Sequence, residues 1–364
     1  MLILGIETSC DETAAAVVEE TGDLARPWAI RSNVIASQIP IHREWGGVVP
    51  ELASRQHIRD ICGVVARALD QAGTTWRDLG AVAVTQGPGL VGSLLVGVSF
   101  AKAGAAASGL PLVAVHHLAG HIESLVLQNG ELPLPSVVLV VSGGHTSLYL
   151  IERVGHYQLL SRTRDDAAGE AYDKVAKLLG LGYPGGPVID RLAREGNDRA
   201  VALPATRLTH ADRNAPTLKG DLDFSFSGLK TAVRRHVEKT GQEKGSARIA
   251  PAENDSRPIF SDGEIADICA SFQRVVVNTL IDRTFDAARR HRARSIGIAG
   301  GVSANSRLRA ELTRHGGLRE IPTFLPSLAL STDNAAMIAA AGLRKLHSGI
   351  TADLDLNADA ALTL

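Results

Sequence analysis

The sequence predicts an α/β protein of two lobes with the same topology and a ligand cleft between them. The chain has 364 residues, which at about 100 to 200 residues per domain corresponds to about two packed units. A pattern of strand, polar turn and returning strand covers residues 2–18 and recurs over residues 137–151. Each hairpin is followed by alternating helical and strand patterns, which is typical of α/β architectures.

In the first half, the hairpin strands at residues 2–6 and 14–18 are apolar, and the residues between them are polar. The apolar periodicity then predicts a helix, a strand, a helix and a strand at residues 50–72, 81–84, 91–107 and 112–115. Gly73 marks the end of the first of these helices. The weakly polar stretch 94–115 contains Lys102 and Pro111, so we expect a buried helix and strand there and no bilayer span.

In the second half, short strands at residues 137–141 and 148–151 flank a Gly-Gly turn. Helices are predicted at residues 169–179, 265–290, 305–314 and 333–346, and a strand at residues 295–299. We therefore predict an N-terminal lobe over residues 1–130 and a C-terminal lobe over residues 131–364. The second contains a helical segment at about 165–235 and a polar surface insertion at about 239–263 that has no steady period.

Composition excludes several classes of protein. The chain has 38 basic and 39 acidic residues, a net charge of −1, which argues against a surface that is basic throughout and leaves a local basic patch open. Its three cysteines do not suggest a disulfide framework, so we expect a reducing cytoplasm. The first ten residues lack a basic flank and lead directly into Asp11 and Glu12, which is unlike a secretory signal.

Glycine-rich turns recur where predicted strands end, at residues 87–89, 142–144, 185–186 and 300–301. Glycine exposes backbone N–H groups, which at a helix start favour phosphate or carboxylate. Together these turns predict a nucleotide cleft without identifying the nucleotide. The P-loop signature is absent, and a G-x-G-x-x-G match at residues 87–92 is followed by no acidic residue before Glu123.

His117 and His121 form the strongest metal-site signal in the sequence. They are four residues apart, so on a helix they share a face and can bind one ion. Asp333 is a candidate third ligand, although Ser331, Thr332 or Asp333 would equally serve as a helix N-cap. Such a set suits iron(II) or zinc. A metalloprotease is disfavoured, because Leu118 occupies the position of the glutamate in H-E-x-x-H.

The remaining polar candidates leave alternatives open. The acidic residues around position 165 suit either a solvated helix start or a site; these are Asp165, Asp166, Glu170 and Asp173. Asp190 is a further acidic candidate. The polar and aromatic turn FSFSGLK at residues 224–230 has no role that can be derived from its residue types.

Nine stretches of the chain resemble, in order, one family: the tRNA N6-adenosine threonylcarbamoyltransferases, or TsaD family. They are GIETSCDETAAAVV (5–18), GGVVPELASRQH (46–57), TQGPGLVGSLLVG (85–97), HHLAGHIES (116–124), VSGGHTSL (141–148), DDAAGEAYDKVAKLLGLGYPGGP (165–187), FSFSGLKTAV (224–233), GGVSANSRLR (300–309) and STDNAAMIA (331–339). The family often has Glu, Cys and Phe where this chain has Ala119, Ser331 and Tyr172.

The resemblance implies the two-lobed fold of actin, Hsp70 and the sugar kinases. It also implies transfer of a threonylcarbamoyl group from threonylcarbamoyl-AMP to N6 of the adenosine 3′ of the anticodon, in tRNAs that read A-starting codons, with release of AMP. In the bacterial type of this family, the partners are a TsaB-like paralogue and a TsaE-like P-loop ATPase. A cytoplasmic enzyme without a membrane segment is expected. A small-molecule kinase and a non-catalytic scaffold are the rival hypotheses.

The resemblance also assigns roles to individual residues. One divalent ion, with Fe²⁺ favoured and Zn²⁺ as the alternative, is expected on His117, His121 and Asp333. The intermediate is expected to bind at Val140, Val141, Ser142, Gly143, Gly144, Asp173, Gly186, Asp190 and Asn305. Asp11 and Glu12 lie in the first phosphate-side turn, where Glu12 is expected to deprotonate or orient the attacking amine.

Overall fold

The computed structural model describes residues 1–206, 208, 220–244 and 260–364, and within these residues the strands form two five-stranded sheets. The first sheet contains β1 (Leu2–Glu7), β2 (Glu12–Glu20), β3 (Trp28–Ser37), β4 (Ala81–Gly87) and β5 (Leu112–His116). The second sheet contains β6 (Ser136–Val141), β7 (Thr146–Arg153), β8 (His156–Arg162), β9 (Ser295–Ala299) and β10 (Thr323–Phe324).

Helices cover both faces of these sheets. In chain order they are α1 (Ile39–Arg43), α2 (Pro50–Gln71), α3 (Val91–Ser108), α4 (His117–Asn129), α5 (Ala168–Leu178), α6 (Gly185–Leu192), α7 (Ser227–Glu243), α8 (Asp262–Arg290), α9 (Ser306–Leu318), α10 (Leu328–Ser331) and α11 (Ala335–His347). Short 3₁₀ helices span Trp76–Asp78 and Gly301–Ala304.

The two sheets have one topology. Their strand orders are β3-β2-β1-β4-β5 and β8-β7-β6-β9-β10, and in both the first three strands are antiparallel while the last two run parallel to the first. This confirms the duplication predicted from the two hairpins and the actin, Hsp70 and sugar-kinase type of fold. The carboxyl ends of the parallel strands are where ligands bind in such sheets.

Helix α4 lies between the two sheets. It contacts β5 of the first sheet and β6 and β9 of the second. Its residues from His117 to Val126 are all buried, so the helix has no solvent-facing stripe of the kind that a surface helix has. Leu118, Ile122 and Leu125 pack into the core of the second sheet, and Val126 packs into that of the first.

Helix α3 is the one described helix that is long and apolar enough to meet the length and composition criteria for a membrane span. In the structure it packs on β4 and α2, with Leu94, Val98 and Ala101 buried. The buried helix and strand predicted for residues 94–115 correspond to the inner part of α3 followed by β5.

The C-terminal part of the chain returns to the first lobe, although the sequence-based division assigned everything after residue 130 to the second. Helix α11 packs against β1 and β2, Ala352 pairs with Leu112, and the amide of Asp359 donates to the carbonyl of Gln86 at 2.9 Å. By packing, residues from 335 onward belong with residues 1–129. The pattern of α11 shows that the helix is buried but not which sheet buries it.

The boundaries of the predicted insertion also differ. Helix α7 continues through Glu243, and α8 begins at Asp262 behind a capping box of Ser261 and Glu264. Both ends of the predicted 239–263 insertion therefore belong to helices. The intervening residues 245–259 lie outside the described residues, as do 207 and 209–219 of the predicted helical segment.

The sequence pattern did not predict the two edge strands β3 and β8. Strand β3 carries exposed Ile30 and Ile35, and its pairing with β2 shifts register between Val17 and Val18, so it lacks the clean alternation of a half-buried strand. Strand β8 is similarly mixed, with exposed and half-buried residues interleaved. Edge strands such as these are set by pairing with a neighbour, which the local pattern does not record.

We expect Gly5→Ala to destabilise the protein by about 1–3 kcal/mol, because overpacking a tight contact forces backbone to shift. A Cβ at Gly5 would lie 2.3 Å from the carbonyl oxygen of Ala335 and 2.7 Å from the amide nitrogen of Ala339. Gly63→Ala is the matched control: that glycine lies within α2 with open space around it, so the change should be neutral or stabilising. Thermal unfolding of both variants measures this, and an unchanged Tm for Gly5→Ala would contradict it.

Candidate metal centre and substrate cleft

The junction between β5 and α4 fixes the first metal-ligand candidate. His116 caps the helix: its Nδ1 accepts the amide of Leu118 at 3.1 Å, and its Nε2 donates to the carbonyl of Leu362 at 3.1 Å. Burial lowers the pKa of His116 to about 4, so the ring stays neutral and can make both bonds. His117 therefore begins α4 with its backbone held from two sides.

The predicted ligands His117, His121 and Asp333 meet in space. Asp333 Oδ1 lies 3.5 Å from His117 Nε2 and 3.2 Å from His121 Nε2. The imidazole centroids are 4.7 Å apart with the rings at 79°, and one ligand atom from each residue falls within 4.8 Å of the others. The helical i, i+4 spacing thus produces the shared face that the sequence predicted.

Asp333 is available as a ligand because another residue caps α11. The side chain of Asn334 accepts the amide of Met337 at 3.1 Å, and Ser331 donates instead to the carbonyl of Ser327 at 2.9 Å. The N-cap alternative for Asp333 is therefore wrong: the cap lies one residue later in the chain.

The donor set fits a divalent ion. Within the described part of the chain, His121 Nδ1 is buried without a hydrogen-bond partner, which is costly. The buried Nε2 faces Asp333 Oδ1 at 3.2 Å, the side on which a shared ion would bind. Burial lowers the pKa of His121 and so favours the neutral, ligating ring. Burial opposes ionisation of Asp333, but the facing histidines hold the pKa of its carboxyl well below the usual range.

Glu7 contacts the candidate ligand His117, and the sequence analysis did not single it out. It ends β1 with no solvent exposure, and its Oε2 accepts His117 Nδ1 at 3.0 Å and Thr85 Oγ1 at 2.7 Å. A proton on Nδ1 leaves Nε2 free to bind an ion, as in carboxylate–histidine–metal arrangements. In the sequence, Glu7 is the charged residue that ends the apolar run LILGIE. The sequence analysis places it in the polar turn after the strand.

The carboxylates also control the charge of His117. Burial disfavours its charged form, but Asp333 and Glu7 outweigh burial and raise the pKa of His117 to about 9. The same ion pair lowers the pKa of Glu7 despite complete burial. Removing one partner of such a buried pair leaves an uncompensated charge, typically at a cost of about 3–5 kcal/mol.

A cavity of about 920 Å³ extends from this cluster between the lobes. Its lining includes His117 and Asp333 and most of the predicted site residues: Asp11, Glu12, Ser142, Gly143, Gly144, Asp173, Gly186, Asp190 and Asn305. Val140 and Val141 do not line it, because both are wholly buried in β6 and pack into the cores on its two faces. They support the glycine turn from beneath.

The glycine turns form an open wall of the cavity. Nothing lies within 4 Å of a Cβ placed on Gly143, Gly144 or Gly186, so these positions face free space. The turn itself is closed by the amide of Ser142, which donates to the carbonyl of His145 at 2.8 Å. Backbone amides presented in this way suit an anionic ligand.

Three polar residues that line the cavity already have hydrogen-bond partners within the protein. Asp190 Oδ1 accepts Ser306 Oγ at 2.8 Å, and Asn305 donates through Nδ2 to Gln273 Oε1 at 2.7 Å. Asp173 Oδ1 accepts the amide of Gly185 at 2.7 Å. These bonds hold α6 and α9 in place around the cavity.

Glu12 begins β2 and lines the cavity beside Asp11. Burial, together with the neighbouring Asp11 carboxylate, raises the pKa of Glu12 well above its usual range. Beneath this turn lies His57, a second missed residue, whose Nε2 donates to the carbonyl of Cys10 at 2.9 Å and whose Nδ1 accepts Thr13 Oγ1 at 2.7 Å. His57 is fully buried and so anchors the turn that carries both carboxylates.

Two further residues of the sequence motifs, His145 and Asp165, have defined surroundings in the structure. His145, which follows the Gly-Gly turn, lines the cavity, and burial with the nearby His117 and His121 lowers its pKa to about 4. Asp165 accepts Ser225 Oγ at 2.5 Å and the amide of Phe226 at 2.8 Å. Through these hydrogen bonds, the FSFSGLK turn connects the loop before α5 to the start of α7.

Fold and site together define a two-lobed protein of the actin, Hsp70 and sugar-kinase type, with a His-His-Asp cluster that could hold a metal ion at an interlobe cleft. A family profile described as "TsaD: tRNA N6-adenosine threonylcarbamoyltransferase" matches residues 29–340. Proteins of that name from Anaeromyxobacter dehalogenans (strain 2CP-C) and Koribacter versatilis are 52% and 48% identical to this chain, covering 100% of it and 99% of each relative. The relative from Thermodesulfovibrio yellowstonii is 48% identical with both chains fully covered.

The chain belongs to the TsaD family: it is a transferase that modifies tRNA by placing a threonylcarbamoyl group on N6 of adenosine. Among solved structures, full-length HypF in its phosphate- and nucleotide-bound form matches with a TM-score of 0.56 at 13% identity. The match covers 94% of this chain and 55% of HypF, and at that identity it supports the fold alone.

We expect Glu7→Gln to weaken Zn²⁺ binding by about 10–100-fold, because loss of the carboxylate behind a ligating histidine lowers the basicity of that ligand. Competition against a chelator measures the affinity. Glu19→Gln is the control, since Glu19 pairs with exposed Arg31 away from the site. Equal affinity in Glu7→Gln and Glu19→Gln would remove Glu7 from the metal centre.

Metal affinity should rise with pH. In the metal-free protein His117 is protonated below its pKa of about 9, so a bound ion must displace that proton. The apparent Zn²⁺ affinity therefore increases by about tenfold per pH unit up to that pKa. Calorimetric titrations over a pH series would detect the proton release, and an affinity that stays constant across the neutral range would contradict the prediction.

Proposed function

We propose that the interlobe cavity binds threonylcarbamoyl-AMP and transfers its threonylcarbamoyl group to the adenosine 3′ of the anticodon in tRNAs that read A-starting codons. One observation carries this proposal: His117 and Asp333 of the metal-ligand cluster, the open glycine turns and the Asp11–Glu12 turn all line one cavity of about 920 Å³. Such a volume suits a nucleotide-sized ligand.

The adenylate phosphate would lie against the turn at Gly143 and Gly144, where free space and backbone amides favour an anion. The ribose hydroxyls would donate to Asp190, with Ser306 exchanging its present bond to that carboxylate. Asn305 offers a donor and an acceptor on the same wall, and Asp173 keeps Gly186 in position through the start of α6. Val140 and Val141 act as support for the turn.

His117, His121 and Asp333 would hold one divalent ion, with Fe²⁺ favoured and Zn²⁺ as the alternative. When bound, the ion supplies Lewis-acid polarisation of the threonylcarbamoyl carbonyl. Nitrogen and carboxylate ligands on three positions are compatible with either metal. Glu7 keeps His117 in the ligating tautomer from the opposite side of its ring.

Glu12 would act on the attacking amine. As N6 of the adenosine bonds to the carbamoyl carbon, the carbon–oxygen bond to the phosphate breaks and AMP leaves with the electron pair. The amine proton passes to Glu12, whose raised pKa makes its carboxylate a stronger base than an exposed glutamate. Asp11 contributes to that raised pKa, and His57 holds the turn at the carbonyl of Cys10.

We further propose that the chain works in the cytoplasm with a TsaB-like paralogue and a TsaE-like P-loop ATPase, as the family resemblance implies. Its three free cysteines are compatible with a reducing compartment. Co-purification of the tagged chain from its source cells tests the partners, and recovery of neither protein would remove this part of the proposal.

The central experiment follows labelled threonine from preformed threonylcarbamoyl-AMP into a tRNA transcript that reads an A-starting codon, with partner proteins added. The wild type should label the tRNA, and His117→Ala should abolish labelling because the cluster loses a ligand. Phosphorylation of a small molecule by ATP without tRNA labelling would instead support a kinase.

Glu12→Gln should slow the single-turnover transfer rate by about 10²–10⁴-fold, the usual contribution of a positioned general base. Affinity for threonylcarbamoyl-AMP should change little, since the residue acts on the other substrate. Asp60→Gln serves as the control, because its carboxylate pairs with Gln56 on α2. A Glu12→Gln rate close to that of the wild type would exclude the base role.

A further inference from the structure

A tryptophan is exposed at the mouth of the cavity, on the loop that joins α1 to α2. Trp45 is 62% exposed, whereas Trp28 is 6% exposed. The residues that follow it, Gly46 and Gly47, line the cavity. The indole ring is therefore accessible to solvent next to residues that line the cavity.

The loop that carries Trp45 is held in place from below. Its amides close onto the end of α1, since Trp45 N donates to the carbonyl of His42 at 3.0 Å and Gly46 N to that of Arg43 at 3.2 Å. The side chain of His42 is fully buried, and its Nδ1 accepts the amide of Val49 at 3.3 Å. The tryptophan is thus presented by an ordered loop, which reduces the entropy lost on binding.

The ammonium group of a lysine lies next to this loop. Lys177 of α5 lines the cavity and is exposed, and a Cβ on Gly46 would be 3.8 Å from its Nζ. Across the described residues, no carboxylate pairs with this ammonium group. Lys174, one turn earlier, instead binds Asp166 at 2.7 Å.

Two basic clusters elsewhere among the described residues, at the end of α8 and on α7, have acidic partners. Arg289 and Arg290 at the end of α8 both pair with Asp286, and Arg234 of α7 pairs with Glu238 at 2.7 Å. With a net charge of −1, attraction to a polyanion must come from local uncompensated cations.

We propose that Trp45 and Lys177 dock the anticodon loop of the tRNA substrate. The indole ring stacks on a base that adjoins the target adenosine, and the ammonium group of Lys177 contacts the backbone phosphate. Unpaired loop bases are recognised in this way, by stacking on aromatic rings beside cations. The proposal rests on the tRNA substrate of the family, and it is independent of the roles proposed for Glu12 and the metal.

Direct binding of a fluorescent tRNA transcript to the full-length protein with its co-purified partners tests this surface. We expect Trp45→Ala to raise the Kd by about tenfold, within the range measured for loss of one base–aromatic stack, and Trp45→Phe to restore most of the affinity. Lys177→Ala should raise the Kd about threefold and make log Kd less dependent on log salt concentration.

Arg77→Ala is the charge control, because Arg77 is exposed next to the amino end of β4, at the opposite edge of the sheet from the cavity. It should bind tRNA as the wild type does, and Trp45→Ala should keep the wild-type affinity for AMP. The Tm of Trp45→Ala should also be unchanged, since the side chain is exposed.

A Kd for Trp45→Ala that equals the wild-type value would overturn the proposal. If that variant also lost a co-purified partner, the tryptophan would belong to a protein contact. Because binding is measured without transfer, absence of transferase activity in the wild type would count against the proposed function and not against this surface.

Discussion

The burial of residues 117–126 of α4 between two sheets is the constraint on which the site depends. A helix with no solvent-facing stripe cannot rotate or slide without exposing apolar surface on one side or overpacking the other. Its first turn therefore presents His117 and His121 at a fixed place, immediately after β5 ends. Contacts with both lobes also make α4 the element through which the position of one sheet affects the other.

Beside this helix, charge is balanced where Glu7 and His117 are buried and Asp333 is partly exposed at the cavity. Glu7 from β1, His117 from α4 and Asp333 from the loop before α11 form a buried network in which each carboxylate opposes the desolvation of the imidazole. The three residues come from distant parts of the chain, and none would be stable as a lone charge there. His121 Nε2 faces Asp333 Oδ1 at 3.2 Å, across the position that an ion would occupy.

Some elements and site residues were predictable from the sequence, and others were not. The central strands and long helices were predicted within a few residues, because full burial or helical periodicity leaves a local signal, as in α2 and β9. The edge strand β3 and the short helix α6 were missed, since pairing and packing define them. In the site, the glycine turns and histidine spacing were found, but Glu7, His57 and His145 were not, because a single polar residue beside an apolar strand has many explanations.

By itself the sequence determined the two-lobed class, the candidate metal-ligand pair on one helical face and the family, because periodicity, spacing and motif order are properties of the chain. The tertiary structure decided which residues face the cavity. Val140 and Val141 are buried within β6. Asp333 is not the helix cap, because Asn334 caps α11. Helix α11 packs on the first sheet. These outcomes depend on which distant surfaces meet, and a local pattern fixes only that a surface is apolar.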